Sequence, residues 1–235
     1  MKINTLMQHS IGASTKANAA KLSMNSIQGH YHSNAEIVYA GDPNMLRWSM
    51  TVGCLMDIHS IAARYMRHVV LRRPIVCCGL LLSPQENTLV ISDMHMPYHH
   101  KDVFKFLLAV KKKYKPKNIL CTGDLIDHHT GSYHETEPDA LSPEEEYWMA
   151  RKALLRLKVI FPKMVVTNGN HDEIPKRKLK TVGLPSAMVA DYNKLYDLGQ
   201  GWEWLDSYEF NCGNAKPVLC PMPLRKSSRW NGEVI

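Results

Sequence analysis

The sequence predicts an α/β fold in which helices flank a sheet that is at least partly parallel. From Thr88 onwards, three short apolar runs alternate with two longer segments of helical periodicity, in β-α-β-α-β order. Each of the three runs ends at a cluster of aspartate, asparagine or histidine residues. A chain of 235 residues, 45% of them hydrophobic, is long enough to bury one substantial core.

The three strands of this part are predicted from apolar runs that are too short for helices. The first is "TLVIS", which is followed by Asp93, and the second is "NILCTG", which is followed by Asp124. The third is "MVVTNGN", which begins at Met164. Helices between consecutive strands allow these strands to run parallel in one sheet.

Two amphipathic helices are predicted between these strands. In "KDVFKFLLAVKKKY", apolar residues recur at helical spacing, at Val103, Phe106, Leu107 and Val110. The second helix, "SPEEEYWMARKALLRLKVIF", begins with Ser142, Pro143 and Glu145. Serine three residues before glutamate is a capping box, and proline is favoured at the first helical position, so the sequence defines this start.

The first 82 residues follow a different pattern, in which several strand-like runs accompany one short predicted helix. "INTLMQ" is a predicted strand, and "STKANAAKLSMN" is a predicted helix capped by Ser14. The further predicted strands are "SIQGHYHS", "EIVYAG", "LRWSM", "VVL" (residues 69–71) and "IVCCGLLL". The polar, turn-forming segment "SPQEN", Ser83 to Asn87, is interpreted as a linker, and strands with loops are expected after Tyr192.

The composition argues against several classes of protein. No apolar run approaches the roughly 20 residues of a membrane helix, and "MKINTLMQHSIGAS" has no apolar core of a secretion signal, so neither is expected. The six cysteines form no C-x-x-C pair, which favours reduced, buried thiols in a cytoplasmic protein. The net charge of +7 favours anionic partners, phosphates and nucleic acids included, without identifying one.

Three motifs place metal-binding residue types at the ends of the predicted strands. "ISDMHMP" supplies Asp93 and His95, which are two residues apart and point the same way from a strand. "TGDLIDHH" supplies Asp124, a carboxylate with two oxygens that can bridge two cations. "TNGNHDE" supplies Asn170 and His171. In parallel α/β sheets, functional sites collect outside the carboxyl ends of the strands, so the three motifs are expected to converge.

A fourth motif, "GHYHS", supplies His30 and His32 far upstream of the others. Two histidines cannot hold a catalytic ion alone, so they need partners from elsewhere in the chain. Each motif taken singly has an ordinary explanation, because D-x-H is common, G-D is a turn signal and a lone histidine is usually structural. Their conjunction, each after its own apolar run, is a specific signal for a metal centre.

Together the motifs resemble those of the calcineurin-like metallophosphoesterases, whose pattern is D-x-H, G-D, G-N-H-D/E, an isolated histidine and G-H-x-H. This sequence has "DMH", "GD", "GNHDE" and "GHYH", and it looks closest to the small phage- or prophage-type members. The resemblance covers nearly all of the chain and implies a single domain, residues 1–235. It also implies a four-layer α/β/β/α sandwich of two mixed sheets flanked by helices.

The order of the motifs departs from that of the family, because G-H-x-H comes first here and last there. Joining Ile235 to Met1 restores the family order, which leads to the hypothesis of a natural or engineered circular permutation. Residues 1–82 would then correspond to the family's C-terminal part and residues 88–235 to its N-terminal part, with 83–87 joining them. Such a rearrangement is tolerated where the original ends are close and exposed. The alternative is a rearranged gene whose product folds poorly.

The resemblance further implies two divalent metal ions, Mn²⁺ first, with Fe, Zn²⁺ and Ni²⁺ as alternatives. One ion would take Asp93, His95, Asp124 and His32, and the other would take Asp124, Asn170, His9 and His30. A hydroxide activated by the two metals would hydrolyse a phosphomonoester or phosphodiester, with nucleotides and nucleic acids among the candidate substrates. His171 would stabilise or protonate the leaving oxygen, and Asp172 would orient His171.

Three points stay open. His9 is the expected isolated histidine, although Ser10 replaces the usual glycine and "KPVLCPM" is a competing strand that ends without a histidine. The segment 127–129 is expected to be a solvated loop, and the alternative is that Asp127, His128 and His129 support the metal ligands or bind the substrate. The alternatives to an enzyme are a basic nucleic-acid-binding protein without turnover and an inactive permutant that serves as a folding scaffold.

Overall fold

The structure, a computed structural model, describes residues 4–42, 45–63, 75–132 and 138–222, and strands alternate with helices in it from Thr88 to Thr167. Within these residues the strands are β1 (Asn4–Met7), β2 (Asn25–Gln28), β3 (Glu36–Asp42), β4 (Met45–Thr51), β5 (Cys77–Leu82), β6 (Thr88–Ile91), β7 (Asn118–Cys121), β8 (Met164–Thr167), β9 (Trp202–Leu205), β10 (Tyr208–Asn211) and β11 (Lys216–Pro221). The helices are α1 (Thr15–Lys21), α2 (Val103–Tyr114), α3 (Pro143–Ile160), α4 (Ile174–Thr181) and α5 (Tyr192–Leu195).

The strands form two mixed sheets. The five-stranded sheet has the order β10-β1-β2-β4-β3, in which β1, β2 and β4 are parallel and the two edge strands are antiparallel to their neighbours. The six-stranded sheet has the order β11-β5-β6-β7-β8-β9, in which β6 to β9 are parallel. Strand β5 pairs antiparallel with both β6 and β11. The predicted α/β fold with a partly parallel sheet is therefore confirmed.

The six-stranded sheet is buried on both faces, which explains its nearly continuous apolar runs. In β6, Leu89 and Ile91 pack in the cluster that contains the apolar faces of α2 and α3, whereas Val90 packs against the other sheet. Met7 and Ile27 of the five-stranded sheet belong to that inter-sheet cluster. Helix α1 contacts β3 and β4 and adds the fourth layer. The four-layer arrangement of two mixed sheets flanked by helices is thus present.

Two helix starts follow the capping signals in the sequence. The side chain of Ser14 accepts a hydrogen bond from the amide of Ala17 at the start of α1 (3.2 Å). At the start of α3, Oγ of Ser142 accepts from the amide of Glu145 (3.3 Å), and Oε2 of Glu145 accepts from the amide of Ser142 (2.9 Å). Both predicted starts are confirmed, because these bonds satisfy amides that have no partner within the helix.

The structure differs from the sequence-based prediction in several segments. Helix α4 was not predicted, and the one-turn helix α5 precedes β9, β10 and β11 in a region where strands and loops were expected. The predicted strand "VVL" (residues 69–71) lies outside the described residues. All six cysteines are free, and five of them are buried while Cys212 is half-buried. Among the helices that the structure describes, none combines the length and the apolar character needed to span a bilayer.

Candidate metal centre

Strands of both sheets end at the same edge of the sandwich, and the motif residues lie there. They follow β6, β7 and β8 in the six-stranded sheet and β1 and β2 in the five-stranded sheet. The backbone amide of His30 donates to the carboxylate of Asp93 (3.0 Å). The backbone amide of His171 donates to Oδ1 of Asp124 (2.8 Å). The two ends of the chain therefore contribute to one site.

The first group of side chains contains His32, Asp93, His95 and Asp124, all of them buried. Nε2 of His32 lies 3.1 Å from Oδ1 of Asp93 and 3.2 Å from Nε2 of His95. Nε2 of His95 lies 3.7 Å from Oδ2 of Asp124. One ligand atom from each of the four residues lies within 4.8 Å of the others. This is the set that the family resemblance implies for the first ion.

The second group contains His9, His30 and Asp124. Nε2 of His9 lies 3.1 Å from Oδ2 of Asp124 and 3.1 Å from Nδ1 of His30. The same nitrogen lies 3.0 Å from Oδ1 of Asn170, so the amide oxygen joins this group. Because Asp124 belongs to both groups, its carboxylate is placed to bridge two cations.

The position of His9 favours it over the competing strand as the source of the isolated histidine. His9 follows β1 directly, and β1 lies next to β2 in the centre of the five-stranded sheet. The competing segment "KPVLCPM" contains β11, which is an edge strand of the six-stranded sheet paired with β5. Of the two strands, β1 is the one that delivers a histidine to Asp124 and Asn170.

The backbone around the site is held in uncommon conformations. Four candidate ligands adopt left-handed φ angles: His30 (68°), Asp93 (49°), His95 (48°) and Asp124 (46°). Aspartate and histidine enter this region more readily than most residues, and such conformations cluster at functional sites. Gly29 lies so close to the Asp93 carboxylate, and Gly169 to that of Asp124, that a β-carbon at either glycine would collide with it. The motif glycines therefore allow the close approach of loops from different strands.

Hydrogen bonds behind two of the histidines leave their Nε2 atoms facing the site. Nδ1 of His9 donates to the carbonyl oxygen of Thr122 (2.7 Å). Nδ1 of His95 lies 2.8 Å from Oδ1 of Asp127. Metal-ligating histidines commonly hold the second ring nitrogen in this way, which fixes the tautomer and the orientation of the ring.

Buried negative charge dominates the electrostatics of the site. Asp93, Asp124 and Asp127 are each at most 1% exposed. Burial alone would raise the pKa of Asp124, but the neighbouring His9 outweighs it and holds that pKa well below its usual range. Burial likewise opposes charge on His9, yet Asp124 and Asp93 raise its pKa to about 10. The buried carboxylates are thus stabilised by positive charge beside them. Bound cations would supply this charge in place of the proton on His9.

The donor set fits divalent transition metals. Imidazole nitrogens, carboxylate oxygens and an amide oxygen converge on two points that share Asp124. These donors suit Mn²⁺, Fe, Zn²⁺ and Ni²⁺ better than ions that prefer thiolates. No cysteine belongs to the metal-ligand groups found among the described residues. Both groups therefore fit metal ions on the chemistry of their donors.

Asp127 is buried directly behind His95 and His171 and does not lie in a solvated loop. Its Oδ1 is 2.8 Å from Nδ1 of His95 and 2.8 Å from Nδ1 of His171. Burial opposes charge on His171, but the hydrogen bond and charge of Asp127 raise its pKa to about 9. The three residues also form a possible ligand group, but both Nδ1 atoms point at Asp127, which makes this a hydrogen-bonded set. The sequence signal for this role of Asp127 is its position in "GDLID", directly after two apolar residues that are buried in the structure.

The expectation of a solvated loop at residues 127–129 is wrong for the two histidines as well. Nδ1 of His128 lies 3.0 Å from the carbonyl oxygen of His171, and its Nε2 lies 2.9 Å from the hydroxyl of Tyr196. His129 is buried, and its amide donates to the buried carboxylate of Glu146 (2.6 Å). Contacts with Glu146 of α3 and with Tyr196, directly after α5, therefore hold this loop in the wall of the site.

The carboxylate of Asp172 joins two loops of the site through backbone amides. Its carboxylate accepts hydrogen bonds from the backbone amides of Ile126 (3.0 Å) and Gly169 (2.9 Å). Burial and the charge of Asp124 raise the pKa of Asp172 to about 6. With these amides as its partners, Asp172 ties the loop after β7 to the loop after β8. Orientation of the His171 ring falls to Asp127.

Comparison with known proteins agrees with this geometry. Residues 87–226 match the family model described as calcineurin-like phosphoesterase, and the matched range includes "DMH", "GD" and "GNHDE" but not "GHYH". Searches of curated proteins and of solved structures found no match. Members of the family are hydrolases of phosphoester bonds and generally use two metal ions. Because the match spans more than half of the sequence, the chain belongs to the calcineurin-like phosphoesterase family.

Proposed function

We propose that the protein hydrolyses phosphomonoesters or phosphodiesters at a centre that holds two divalent metal ions. The observation that carries this proposal is the pair of ligand groups that share Asp124. One ion would be held by His32, Asp93, His95 and Asp124, and the other by Asp124, His9, His30 and Asn170. Mn²⁺ is the first candidate for both positions, since the donors are nitrogen and oxygen.

The reaction exchanges one oxygen on phosphorus for another. The oxygen of water forms a bond to phosphorus, and the bond from phosphorus to the ester oxygen breaks. When bound, the two cations would activate the water and neutralise the phosphoryl oxygens. The departing ester oxygen takes up a proton and leaves as an alcohol.

His171 is the residue placed to give that proton. Asp127 holds its Nδ1, so Nε2 remains to face the substrate. In the metal-free chain the hydrogen bond and charge of Asp127 raise the pKa of His171 to about 9, which favours the protonated imidazole that an acid toward the leaving oxygen must be. Asp172 supports this arrangement indirectly, through the amides that shape both neighbouring loops.

We also propose that the chain is a circular permutation of the family's single domain. In support, β5 and β6 are antiparallel neighbours, and residues 83–87 connect them directly. The family match begins at residue 87 and leaves out the segment that carries His9, His30 and His32. The test is a chain opened within residues 83–87 and closed by a flexible linker between Ile235 and Met1. It should fold and bind metal like the present chain, and failure to do either would contradict the permuted order.

Two further features bear on substrate and location. The free cysteines fit the cytoplasmic location that we propose. The net charge of +7 favours an anionic substrate, including a nucleotide or a nucleic acid. The same charge favours the second candidate function, a nucleic-acid-binding protein without turnover. That candidate leaves the conjunction of buried carboxylates and histidines unexplained.

Hydrolysis of bis-p-nitrophenyl phosphate and of p-nitrophenyl phosphate tests the proposed function. We expect turnover with Mn²⁺, loss of turnover on chelation and recovery when the metal is returned. Asp93→Asn should abolish turnover in an enzyme, whereas a protein that only binds nucleic acid should keep its affinity after this change. Absence of metal-dependent turnover with Mn²⁺, Fe²⁺, Zn²⁺ and Ni²⁺ on both esters would overturn the proposal.

A further inference from the structure

A basic helix begins directly beside the candidate catalytic residue. The amide of Ile174, the first residue of α4, donates to the carbonyl oxygen of His171 (3.1 Å). Residues 174–190 contain three lysines, one arginine and no aspartate or glutamate. The positive charge is therefore local to this edge of the metal centre, and the nearest carboxylates along the chain are those of Glu173 and Asp191 at its two ends.

Three of the four cations lie on one side of α4. At 100° per residue, Lys180 and Lys176 fall within about 100° of Arg177 on one side of the helix. Lys178 projects about 100° to the other side of Arg177, toward the pocket lined by Ile174. A tract made of Lys176, Arg177 and Lys180, called here the basic face, thus runs along the helix away from the site.

Arg177 connects the basic face to the metal centre. Its guanidinium Nη2 donates to the carbonyl oxygen of Asn170, the residue with an amide oxygen in the second ligand group. Arg177 and Asn170 also line a groove of about 270 Å³, together with Gln8 from the strand end that supplies His9. A ligand in this groove would therefore contact both Asn170, a candidate ligand of the second metal, and Arg177 at the start of the basic face.

Two carboxylates, those of Glu173 and Asp206, line the same groove. Oε1 of Glu173 lies 3.5 Å from Nζ of Lys176. Oδ1 of Asp206 accepts a hydrogen bond from the side-chain amide of Asn168 (3.0 Å). Lys176 is thus partly neutralised by Glu173, whereas the neutral amide of Asn168 leaves Asp206 with its charge. Lys180 is the exposed cation of the basic face.

We propose that the basic face binds the backbone phosphates of a nucleic-acid strand whose scissile phosphodiester lies at the metal centre. This inference rests on the proposed function and names its substrate class. Lys180 is three residues beyond Arg177, or about 4.5 Å further along the helix axis, so the cations are spread in a line rather than gathered around one point. A line of cations fits a polymer with a charge on every phosphate better than a single phosphorylated side chain. Hydrolysis would add water across one P–O bond, leaving a phosphomonoester end and a hydroxyl end.

The salt dependence of kcat/KM gives a quantitative test. Each phosphate contact on a single strand contributes about 0.7 to the slope of log affinity against log salt. Two contacts, from Arg177 and Lys180, would lower kcat/KM for a short single-stranded DNA or RNA oligonucleotide roughly 7-fold between about 50 and 200 mM salt. The same measurement with bis-p-nitrophenyl phosphate corrects for any effect of salt on the metal centre. A ratio of the two values that is independent of salt would overturn the inference.

Lys180 and Lys178 form a matched pair of variants on one exposed helix. Lys180→Gln should lower the ratio of kcat/KM for the oligonucleotide to that for bis-p-nitrophenyl phosphate about five-fold at about 0.1 M salt, since one phosphate contact is lost. Lys178→Gln removes the same charge from the other side of α4 and should change that ratio less than two-fold. Equal losses in both variants would contradict a directed face and leave only a general effect of charge.

The outcomes separate this inference from the proposed function. If the wild-type protein hydrolyses neither ester nor oligonucleotide with any of the metals, the proposed function itself fails. If it hydrolyses the small esters but its preference for oligonucleotides is insensitive to salt and to Lys180→Gln, only the inference fails. A preference for a phosphorylated peptide over both DNA and RNA would also overturn it. The unfolding temperature of each variant should equal that of the wild type.

Discussion

Replacement of Asp124 by asparagine should remove both metal ions at once. The carboxylate of Asp124 is common to the two ligand groups, whereas His32 belongs to the first group alone. An asparagine at this position keeps the shape of the side chain but loses the negative charge and one of the two bridging oxygens. We therefore expect two ions per chain in the wild type, about one in His32→Gln and almost none in Asp124→Asn.

The size of the effect can be estimated from linkage between metal binding and folding. An ion present at 100 times its Kd stabilises the native state by about 2.7 kcal/mol, so two ions contribute about 5 kcal/mol. For a chain of 235 residues, 1 kcal/mol corresponds to a change of about 2–4 °C in Tm. Saturating Mn²⁺ should then raise the Tm of the metal-free wild type by about 10–20 °C, with about half that rise in His32→Gln and almost none in Asp124→Asn.

Two measurements on dialysed protein check this prediction. Elemental analysis gives the number of ions per chain, and thermal unfolding with and without Mn²⁺ gives the shift in Tm. Asp139→Asn, an identical change at an exposed aspartate, is the matched control and should behave as the wild type. If Asp124→Asn retains two ions, or if His32→Gln loses both, the shared arrangement around Asp124 is refuted.

Three further predictions concern a positioning residue, the core and pH. Asp127→Asn should lower kcat about 10–100-fold for bis-p-nitrophenyl phosphate, because Asp127 holds the rings of both His95 and His171; an unchanged kcat would contradict that role. Phe106→Ala should lower the free energy of unfolding in urea by about 3–5 kcal/mol, because Phe106 is 0% exposed in the core under α2. Burial, followed by the charge of Arg156, lowers the pKa of His99 to about 4 in the folded state. In the unfolded chain this pKa has its ordinary value near 6.5, so the unfolded chain binds the proton first as pH falls. The free energy of unfolding of the metal-free protein should therefore decrease by about 3 kcal/mol between about pH 6.5 and about pH 4. In His99→Gln this part of the pH dependence should vanish.

Features encoded within a few neighbouring residues were predictable from the sequence. The apolar stripe of α2, the capping box of α3 and the short runs of β6, β7 and β8 all occur where local patterns place them. Periodicity and capping act over one or two helical turns, so they can be recognised in the sequence without knowledge of the fold. The residues suited to bind metal could be recognised for the same reason, since each motif is only a few residues long.

Roles that depend on contacts between distant segments were less accessible. The sequence places Asp172 next to His171, yet the ring is held by Asp127 from another loop, 44 positions away along the chain. Helix α4 was missed because half of its eight residues are cationic and they carry no apolar stripe, and its hydrogen bond to Asn170 forms only in the folded chain. The contact between His9 and Asn170 spans 161 positions, and only the family resemblance anticipated it.

Local chemistry thus specified which elements form and which side chains are suited to cations, because backbone preferences and side-chain periodicity act over short stretches of chain. The stacking of the two sheets specified the rest. It brings the ends of β1 and β2 against those of β6, β7 and β8. This contact determines which carboxylate the two ligand groups share and which histidines lie beside it. The sheets stack because this buries apolar strand faces against each other. The residues on those faces are far apart in the chain, so no short segment encodes the arrangement.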